Sequence, residues 1–250
     1  NLSDEHLDWH CDAATYRRDK LRLLSLAPEG RRLINADDPH LLHETRDLPG
    51  LDTFNDSQRI HVDAGSLWDG QRPLPGLKHV PGPHNLSNLA AVLTILDLIG
   101  LRPEGQDLVR ALETFHGLPH RLALVGHRGE VRLVDDSLST TPVATLAALR
   151  AFIDTPVTVL LGGLDRGLDW SQYAKALQAC APHALIGLPD NGERILAALA
   201  DGGFNPAAGM HQAADMAAAL ETALQLTPAG GVVLLSPGAP SFPHYQDYAA

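Results

Sequence analysis

Residues 117–145 bring together several side chains that could bind a nucleotide. His120 and Arg121 come first, and a short predicted strand at 130–134 then ends just before a pair of aspartates, of which Asp136 is the second. Strand ends in open α/β sheets face a crevice, and an arginine can hold a phosphate through two hydrogen bonds. The same residues also allow a plainer arrangement, in which Arg121 forms a surface ion pair and Asp136 caps the next helix. Taken alone, the segment only suggests a nucleotide site.

A second segment, 80–88, carries two asparagines at the start of a predicted helix. The amides of Asn85 and Asn88 could cap this helix by satisfying its free N–H groups. Because an amide both donates and accepts, the two side chains could instead read the edge of a planar base. The residues alone leave both interpretations open.

A third segment, 1–8, places His6 among carboxylates, and Lys20 follows in a predicted helix. A histidine in such a setting can coordinate a metal ion or cap a turn, and on spacing alone the cap is favoured. Lys20 by itself is an ordinary lysine on the surface of a helix.

Two further segments follow predicted strands. In 161–170, Gly162 and Gly163 allow a ligand to approach the backbone closely, or simply form a turn. Arg166 is a candidate clamp for a carboxylate or a phosphate. The segment 235–242 follows the last predicted strand and therefore also lies at a carboxyl end.

The elements that would position these groups fall into two parts. The first part has helices, one short strand, a turn at 36–39 and, from 44 to 81, small strands in a meander. A boundary is expected at 116–119, after which strands and helices alternate as in a largely parallel, doubly wound sheet. The predicted fold class is therefore α/β. The predicted helices are 13–26, 86–99, 103–115, 142–152, 170–180, 192–200 and 213–226, and the predicted strands are 32–35, 130–134, 157–161, 184–188 and 231–235.

The composition is that of a globular protein, with 44% hydrophobic and 20% charged residues among 250. A formal net charge of −11 disfavours nucleic acid as a partner, although a local arginine or Mg²⁺ can still attract an anionic substrate. Cys11 and Cys180 are far apart and suggest neither a metal site nor a disulfide framework, which fits the reducing cytoplasm. No apolar run is long enough to span a bilayer, so no membrane association is expected. We expect a monomer.

In their order along the chain, the five segments resemble the Mur ligase family, and within it the MurD type. The resemblance implies a ligase that joins UDP-N-acetylmuramoyl-L-alanine to glutamate through an acyl phosphate, using ATP and Mg²⁺. It also implies that 1–116 is the C-terminal part of a central ATP-binding domain and 117–250 a Rossmann-like, glutamate-binding domain. The motifs that carry it are Asn-Leu-Ser-x-x-His-Leu-Asp, Pro-Gly-x-His-Asn-x-x-Asn, Gly-Leu-Pro-His-Arg, Asp-Ser-x-x-Thr and Leu-Ser-Pro-x-x-x-Ser-Phe.

The same resemblance implies roles for individual residues. His6 and Lys20 would bind Mg²⁺ and act in catalysis together with Arg121, Lys20 after conversion to a carbamate. Asp136 would accept hydrogen bonds from the ribose. The whole ATP-binding set would be Asn85, Asn88, His120, Arg121 and Asp136, and the glutamate pocket would be formed by Thr140, Arg166, Ser241, Phe242 and Tyr248.

The chain departs from the common MurD pattern at several positions. Leu138 stands where that pattern has a lysine, and Trp9 and Pro240 also differ. Together with the run 165–170, these residues resemble a divergent branch that adds L-glutamate. L-Glutamate is therefore the expected substrate, with D-glutamate the close alternative.

The resemblance further implies that the chain starts inside the central domain. The glycine-rich phosphate loop would then lie upstream, the last helix would continue beyond Ala250, and this piece would be inactive by itself. The alternatives are another Mur-type or folylpolyglutamate-type ligase, or an inactive nucleotide-binding module. A Rossmann dehydrogenase is disfavoured because no Gly-x-Gly-x-x-Gly follows a first strand.

Overall fold

The computed structural model describes residue 10 and residues 12–240. The chain divides into two compact units, Asn1–His116 and Gly117–Ala250. In the described part of the chain, no helix is long and apolar enough to cross a membrane.

The first unit contains two small sheets and four described helices. Strands β1 and β2 pair in parallel, and β3, β4 and β5 form the antiparallel meander expected between 44 and 81. The elements are β1 (Arg32–Asn35), β2 (Leu51–Phe54), β3 (Ile60–Asp63), β4 (Ser66–Asp69), β5 (Arg72–Leu74), α1 (Ala13–Leu26), α2 (Pro39–Thr45), α3 (Pro83–Leu98) and α4 (Gly105–Thr114).

Helix α2 replaces part of what the sequence predicts to be only a turn. The carboxylate of Asp38 accepts a hydrogen bond from the backbone N–H of Leu41, and Pro39 occupies the first turn. A capping aspartate followed by proline is typical of a helix start. The turn signal at 36–39 was therefore also the signal of a helix that begins at its last residue.

The core of the first unit joins the meander to the two later helices. One apolar residue of each meander strand packs against α3 and α4, and the buried cluster consists of Ile60, Leu67, Leu74, Leu89, Ala90, Leu93, Leu108 and Leu112. The helix that begins at the Pro-Gly-x-His-Asn motif is thus packed into this core through its middle turns.

The second unit is built on a six-stranded sheet in the order β10-β9-β8-β11-β7-β6. All neighbouring pairs are parallel except β6 with β7. Its strands are β6 (Ala123–Arg128), β7 (Val131–Asp135), β8 (Val157–Leu161), β9 (Ala184–Gly187), β10 (Met210–Gln212) and β11 (Val232–Leu235), and its helices are α5 (Pro142–Arg150), α6 (Ala174–Cys180), α7 (Gly192–Asp201) and α8 (Met216–Leu226).

Helices cover both faces of this sheet. Residues of α5, α6 and α7 pack on one face, around the buried Leu149, Leu177 and Leu199, and α8 packs on the other through Ala219 and Ala223. The predicted α/β class is therefore confirmed. In this unit, two strands are absent from the sequence prediction, β6 and β10, and both lie at the edges of the sheet. Strand β6 contains an irregularity between Leu124 and Gly126, and β10 has only three residues, so neither has a clear sequence pattern.

Candidate functional site

The loops that leave β8 and β11 are joined by backbone hydrogen bonds at the carboxyl edge of the sheet. The N–H of Gly162 donates to the carbonyl of Pro237 at 3.0 Å, and the N–H of Leu164 donates to the carbonyl of Pro240 at 2.7 Å. Because these strands are adjacent and parallel, both loops emerge at the edge where ligands bind in open α/β sheets.

The loop after β7 is joined to the same platform through Asp136, which is 5% exposed. Its carboxylate accepts hydrogen bonds from the N–H of Leu122 at 3.2 Å, from the hydroxyl of Ser236 at 2.9 Å and from the hydroxyl of Ser139. The N–H of Gly238 also donates to the carbonyl of Ser139 at 2.8 Å. Asp136 thus connects the start of β6 and the ends of β7 and β11.

Burial raises the pKa of Asp136, and the hydrogen bonds from Ser139, Ser236 and Leu122 oppose that shift. The positive charge of Arg121, which is exposed, opposes the rise in pKa further. Both carboxylate oxygens already accept hydrogen bonds within the unit. Ribose binding by Asp136 stays a prediction.

His120 contacts the carboxylate of Asp135, the residue before Asp136. Its Nδ1 lies 2.7 Å from a carboxylate oxygen of Asp135, whose other oxygen accepts the N–H of Ser137 at 2.9 Å. The backbone of His120 has φ of 61°, a region that non-glycine residues rarely adopt. Its carbonyl accepts the N–H of Leu138 at 3.2 Å. The Pro-His-Arg motif is therefore fixed to the strand end that carries the aspartates.

In the plainer arrangement Asp136 would cap the next helix, but the structure gives that cap to Thr141. The hydroxyl of Thr141 accepts a hydrogen bond from the N–H of Ala144 at 3.4 Å, and Pro142 follows in the first turn of α5. Thr140, predicted to contact glutamate, is half-buried immediately before this cap.

The loop after β8 carries Arg166, which is exposed. Two residues at the start of α7 hold this loop. The amide oxygen of Asn191, the N-cap, accepts the N–H of Gly163, and the guanidinium of Arg194 donates to the carboxylate of Asp165. Neither Asn191 nor Arg194 belongs to the five segments that the sequence singles out. Their partners lie 28 and 29 positions away, so no local pattern could reveal them.

In the first unit, Asn85 and Asn88 lie in the first two turns of α3, as the motif predicts. The amide of Asn85 donates to the carbonyl of Pro81 at 2.6 Å, whereas Asn88 is exposed. Asn85 therefore stabilises the turn that leads into the helix, while its amide oxygen has the acceptor chemistry that a base would need. Adenine binding by the two residues stays a prediction.

Lys20 is exposed on α1, with its ammonium 5.1 Å from the centre of the Tyr16 ring. The predicted sites His6, Ser241, Phe242 and Tyr248 lie outside the described residues. Within the described ranges, no group of three or more His, Cys, Asp or Glu side chains could hold a metal ion. An ammonium is a cation with no lone pair for Mg²⁺, so Lys20 could serve as a ligand only after the predicted conversion to a carbamate.

Residues 120–238 match the family described as Mur ligase, glutamate ligase domain. These residues include the loops that leave β7 and β8 and the start of the loop that leaves β11. For these residues, the match confirms the resemblance to Mur ligases that the motifs carried.

The curated relatives carry a more particular description. The chain is 42% identical over 253 residues to a UDP-N-acetylmuramoyl-L-alanine–L-glutamate ligase of Xanthomonas campestris pv. campestris, covering 100% of this chain and 54% of the relative. It is 38% identical over 256 residues to the protein of the same name from Micromonospora, covering 99% and 55%. The chain spans about half the length of the curated relatives it matches.

Solved structures share the fold at lower sequence identity. The MurF ligase of Thermotoga maritima in complex with ADP has a TM-score of 0.70 at 15% identity, over 94% of this chain and 56% of that one. E. coli FolC in complex with ADP has a TM-score of 0.62 at 18% identity, over 95% and 57%. At these identities, the likeness shows the fold alone.

Proposed function

We propose that the protein is an ADP-forming ligase that joins glutamate to UDP-N-acetylmuramoyl-L-alanine in peptidoglycan precursor synthesis. The observation that carries the proposal is the family match at 120–238, since it covers the strand-end loops that hold His120, Arg121, Asp136, Thr140 and Arg166. The names of the relatives, at 38% and 42% identity, support the same reaction. We propose the cytoplasm as its location and a monomer as its working form.

In the proposed reaction, a carboxylate oxygen of the alanine bonds to the γ-phosphorus of ATP, and ADP leaves with the electrons of the broken P–O bond. The amine of glutamate then attacks the acyl carbon, and phosphate leaves as the C–N bond forms and the amine loses a proton. Enzymes of phosphoryl transfer act mainly by positioning and by neutralising charge. His120, fixed beside the end of β7 by Asp135, and the adjoining Arg121 would lie at the phosphates, where the guanidinium would supply positive charge.

The remaining roles follow the motifs. Asn85 and Asn88 would contact adenine and Asp136 the ribose, and Mg²⁺ bound by His6 and a carbamylated Lys20 would neutralise phosphate charge. Arg166 and Thr140 would contact glutamate, together with residues of the C-terminal segment: Ser241, Phe242 and Tyr248.

We further propose L-glutamate as the amino acid. The relatives are named as L-glutamate ligases, and Leu138 stands where the common MurD pattern has a lysine. Leu138 is half-buried and fixed by its N–H to the carbonyl of His120. An apolar side chain in place of a cation changes how an amino acid with two carboxylates is held, which supports a pocket unlike that of the common type.

The test is phosphate release by the full-length protein with UDP-N-acetylmuramoyl-L-alanine, ATP and either glutamate isomer. We expect kcat/KM to be at least ~100-fold higher for L-glutamate, because a pocket that fixes both carboxylates rejects the mirror image. Turnover of D-glutamate alone would overturn the stereochemical proposal. Turnover of neither isomer, with activity on a folate acceptor instead, would support the folylpolyglutamate-type alternative.

A further inference from the structure

The loop that carries Arg166 has a buried beginning and an exposed tip. Gly162 and Gly163 are buried, whereas residues 164–167 are exposed. A β-carbon on Gly163 would collide with the carbonyl oxygen of Pro240, so only glycine fits there. The tip has no regular secondary structure, and beyond the backbone bond of Leu164 to Pro240 it is held by side-chain contacts.

The first of these contacts comes from the N-cap of α7. Asn191 is 4% exposed, and its amide oxygen accepts the N–H of Gly163 at 2.9 Å. This bond fixes the point at which the chain leaves β8, three residues before Arg166.

The second contact comes from Arg194, in the first turn of the same helix. One of its terminal nitrogens donates to the carboxylate of Asp165 at 2.6 Å, and both reach the carbonyl of Leu168 at 3.3 Å. The guanidinium therefore grips the loop on both sides of Arg166. Since its fork is planar, the two partners are held at a fixed spacing.

The loop also has an internal hydrogen bond, and its acceptor is the same Asp165 that Arg194 contacts. The carboxylate oxygen of Asp165 that Arg194 contacts accepts the N–H of Gly167 at 2.8 Å, and Gly167 has a φ of 72°. A turn centred on Arg166 is thus closed by Asp165 and tied to α7 by Arg194.

We propose that Arg194 is a positioning residue for glutamate, acting through the 164–168 loop to set where Arg166 meets the substrate carboxylate. The proposal rests on the proposed function, because Arg166 has its substrate role only in a glutamate ligase. Arg194 itself is committed to the loop and acts on the substrate only through Arg166. The ion pair is 42% exposed on each side, so its contribution to global stability is small and its effect is local.

The kinetic test compares Arg194→Gln and Arg194→Lys with the wild type in the full-length protein. For Arg194→Gln we expect the KM for glutamate to rise ~10-fold, with kcat and the KM for ATP changed less than ~2-fold, since ground-state positioning is lost. Arg194→Lys keeps the charge but loses the fork, and should recover part of the effect. Arg128→Gln is the matched control, because this exposed arginine lies at the β6–β7 hairpin, at the opposite edge of the sheet.

A second measurement needs no substrate. Hydrogen exchange of the 164–170 amides should be faster in Arg194→Gln than in the wild type, with exchange in β8 and β9 unchanged. Unchanged exchange in the loop, or an equal rise in the KM for ATP and for glutamate, would overturn the proposal that Arg194 positions this loop. Should the wild type use neither glutamate isomer, the proposed function fails, while the exchange rates still decide whether Arg194 orders the loop.

Discussion

Asp136 and Asp169 lie in loops that leave the same edge of one sheet, and their pKa values shift in opposite directions. Burial raises the pKa of Asp136. The hydroxyl and N–H of Ser171, both bonded to the Asp169 carboxylate, lower the pKa of that exposed residue. One carboxylate is thus built into the folded interior, and the other organises a loop in contact with water.

This difference separates two ways of holding a site. The loops after β7 and β11 are fixed by buried hydrogen bonds around Asp136, so altering them should cost folding free energy. The tip of the loop after β8 is fixed by exposed side chains, among them Arg194, whose ion pair adds little to stability. Residues at the tip can therefore change substrate positioning without unfolding the unit.

The largest effect should come from adding a side chain at the buried start of the loop after β8. In Gly163→Ala the new β-carbon would collide with the Pro240 carbonyl oxygen, and we expect the free energy of unfolding to fall by ~3 kcal/mol. In Gly167→Ala, at the tip, nothing lies within 4 Å and only the φ of 72° is unfavourable, so the loss should be ~1 kcal/mol. Urea unfolding measures both.

Gly126→Ala is the control for this pair, because its β-carbon meets nothing within 4 Å and its φ is not positive. Its stability should change by less than ~0.5 kcal/mol. Equal losses for Gly163→Ala and Gly167→Ala would contradict the division between buried beginning and exposed tip.

The next effect is the pH dependence that Asp136 contributes. A carboxyl whose pKa is raised by folding binds its proton more tightly in the folded state, so stability falls as pH rises from the ordinary 3.8 through the raised value. Asp136→Asn cannot titrate. We expect the free energy of unfolding of the wild type, minus that of the variant, to decrease across this pH window, with a slope of at most ~1.4 kcal/mol per pH unit.

Urea unfolding of both proteins at closely spaced pH values measures this difference, in which the other carboxylates cancel. A difference that grew with rising pH would mean that the hydrogen bonds from the two serines outweigh burial. The two outcomes have opposite signs, so the comparison is decisive.

The sequence predicted the framework of this site well, because its signals are local. The apolar run 157–161 is β8, and the predicted helix 13–26 is α1. The motifs placed His120 and Asp136 near one strand end, and there the structure bonds His120 to Asp135, the neighbour of Asp136.

The hydrogen bonds that hold the site were beyond local signals. Ser236, which donates to Asp136, is 100 positions away in sequence, and Asp136 alone resembles a helix cap. Arg194 on its own resembles any surface arginine, because the carboxylate that it contacts belongs to Asp165, 29 positions earlier. Long-range pairing of polar side chains follows from the folded topology, and the sequence pattern predicts that topology only in outline.

The smallest effect concerns Asp169 and has the opposite sign to that of Asp136. A carboxyl whose pKa is lowered by folding contributes stability above the ordinary 3.8, and this contribution is lost as pH falls through the lowered value. In Asp169→Asn the amide oxygen can still accept from Ser171, but no charge titrates. The difference in melting temperature between the wild type and Asp169→Asn should therefore shrink as pH falls below about 4. Thermal unfolding at pH 7 and at successively lower pH measures it. A difference that widened with acid would place Asp169 with Asp136, as a carboxyl that burial controls, and would remove the distinction between the two loops.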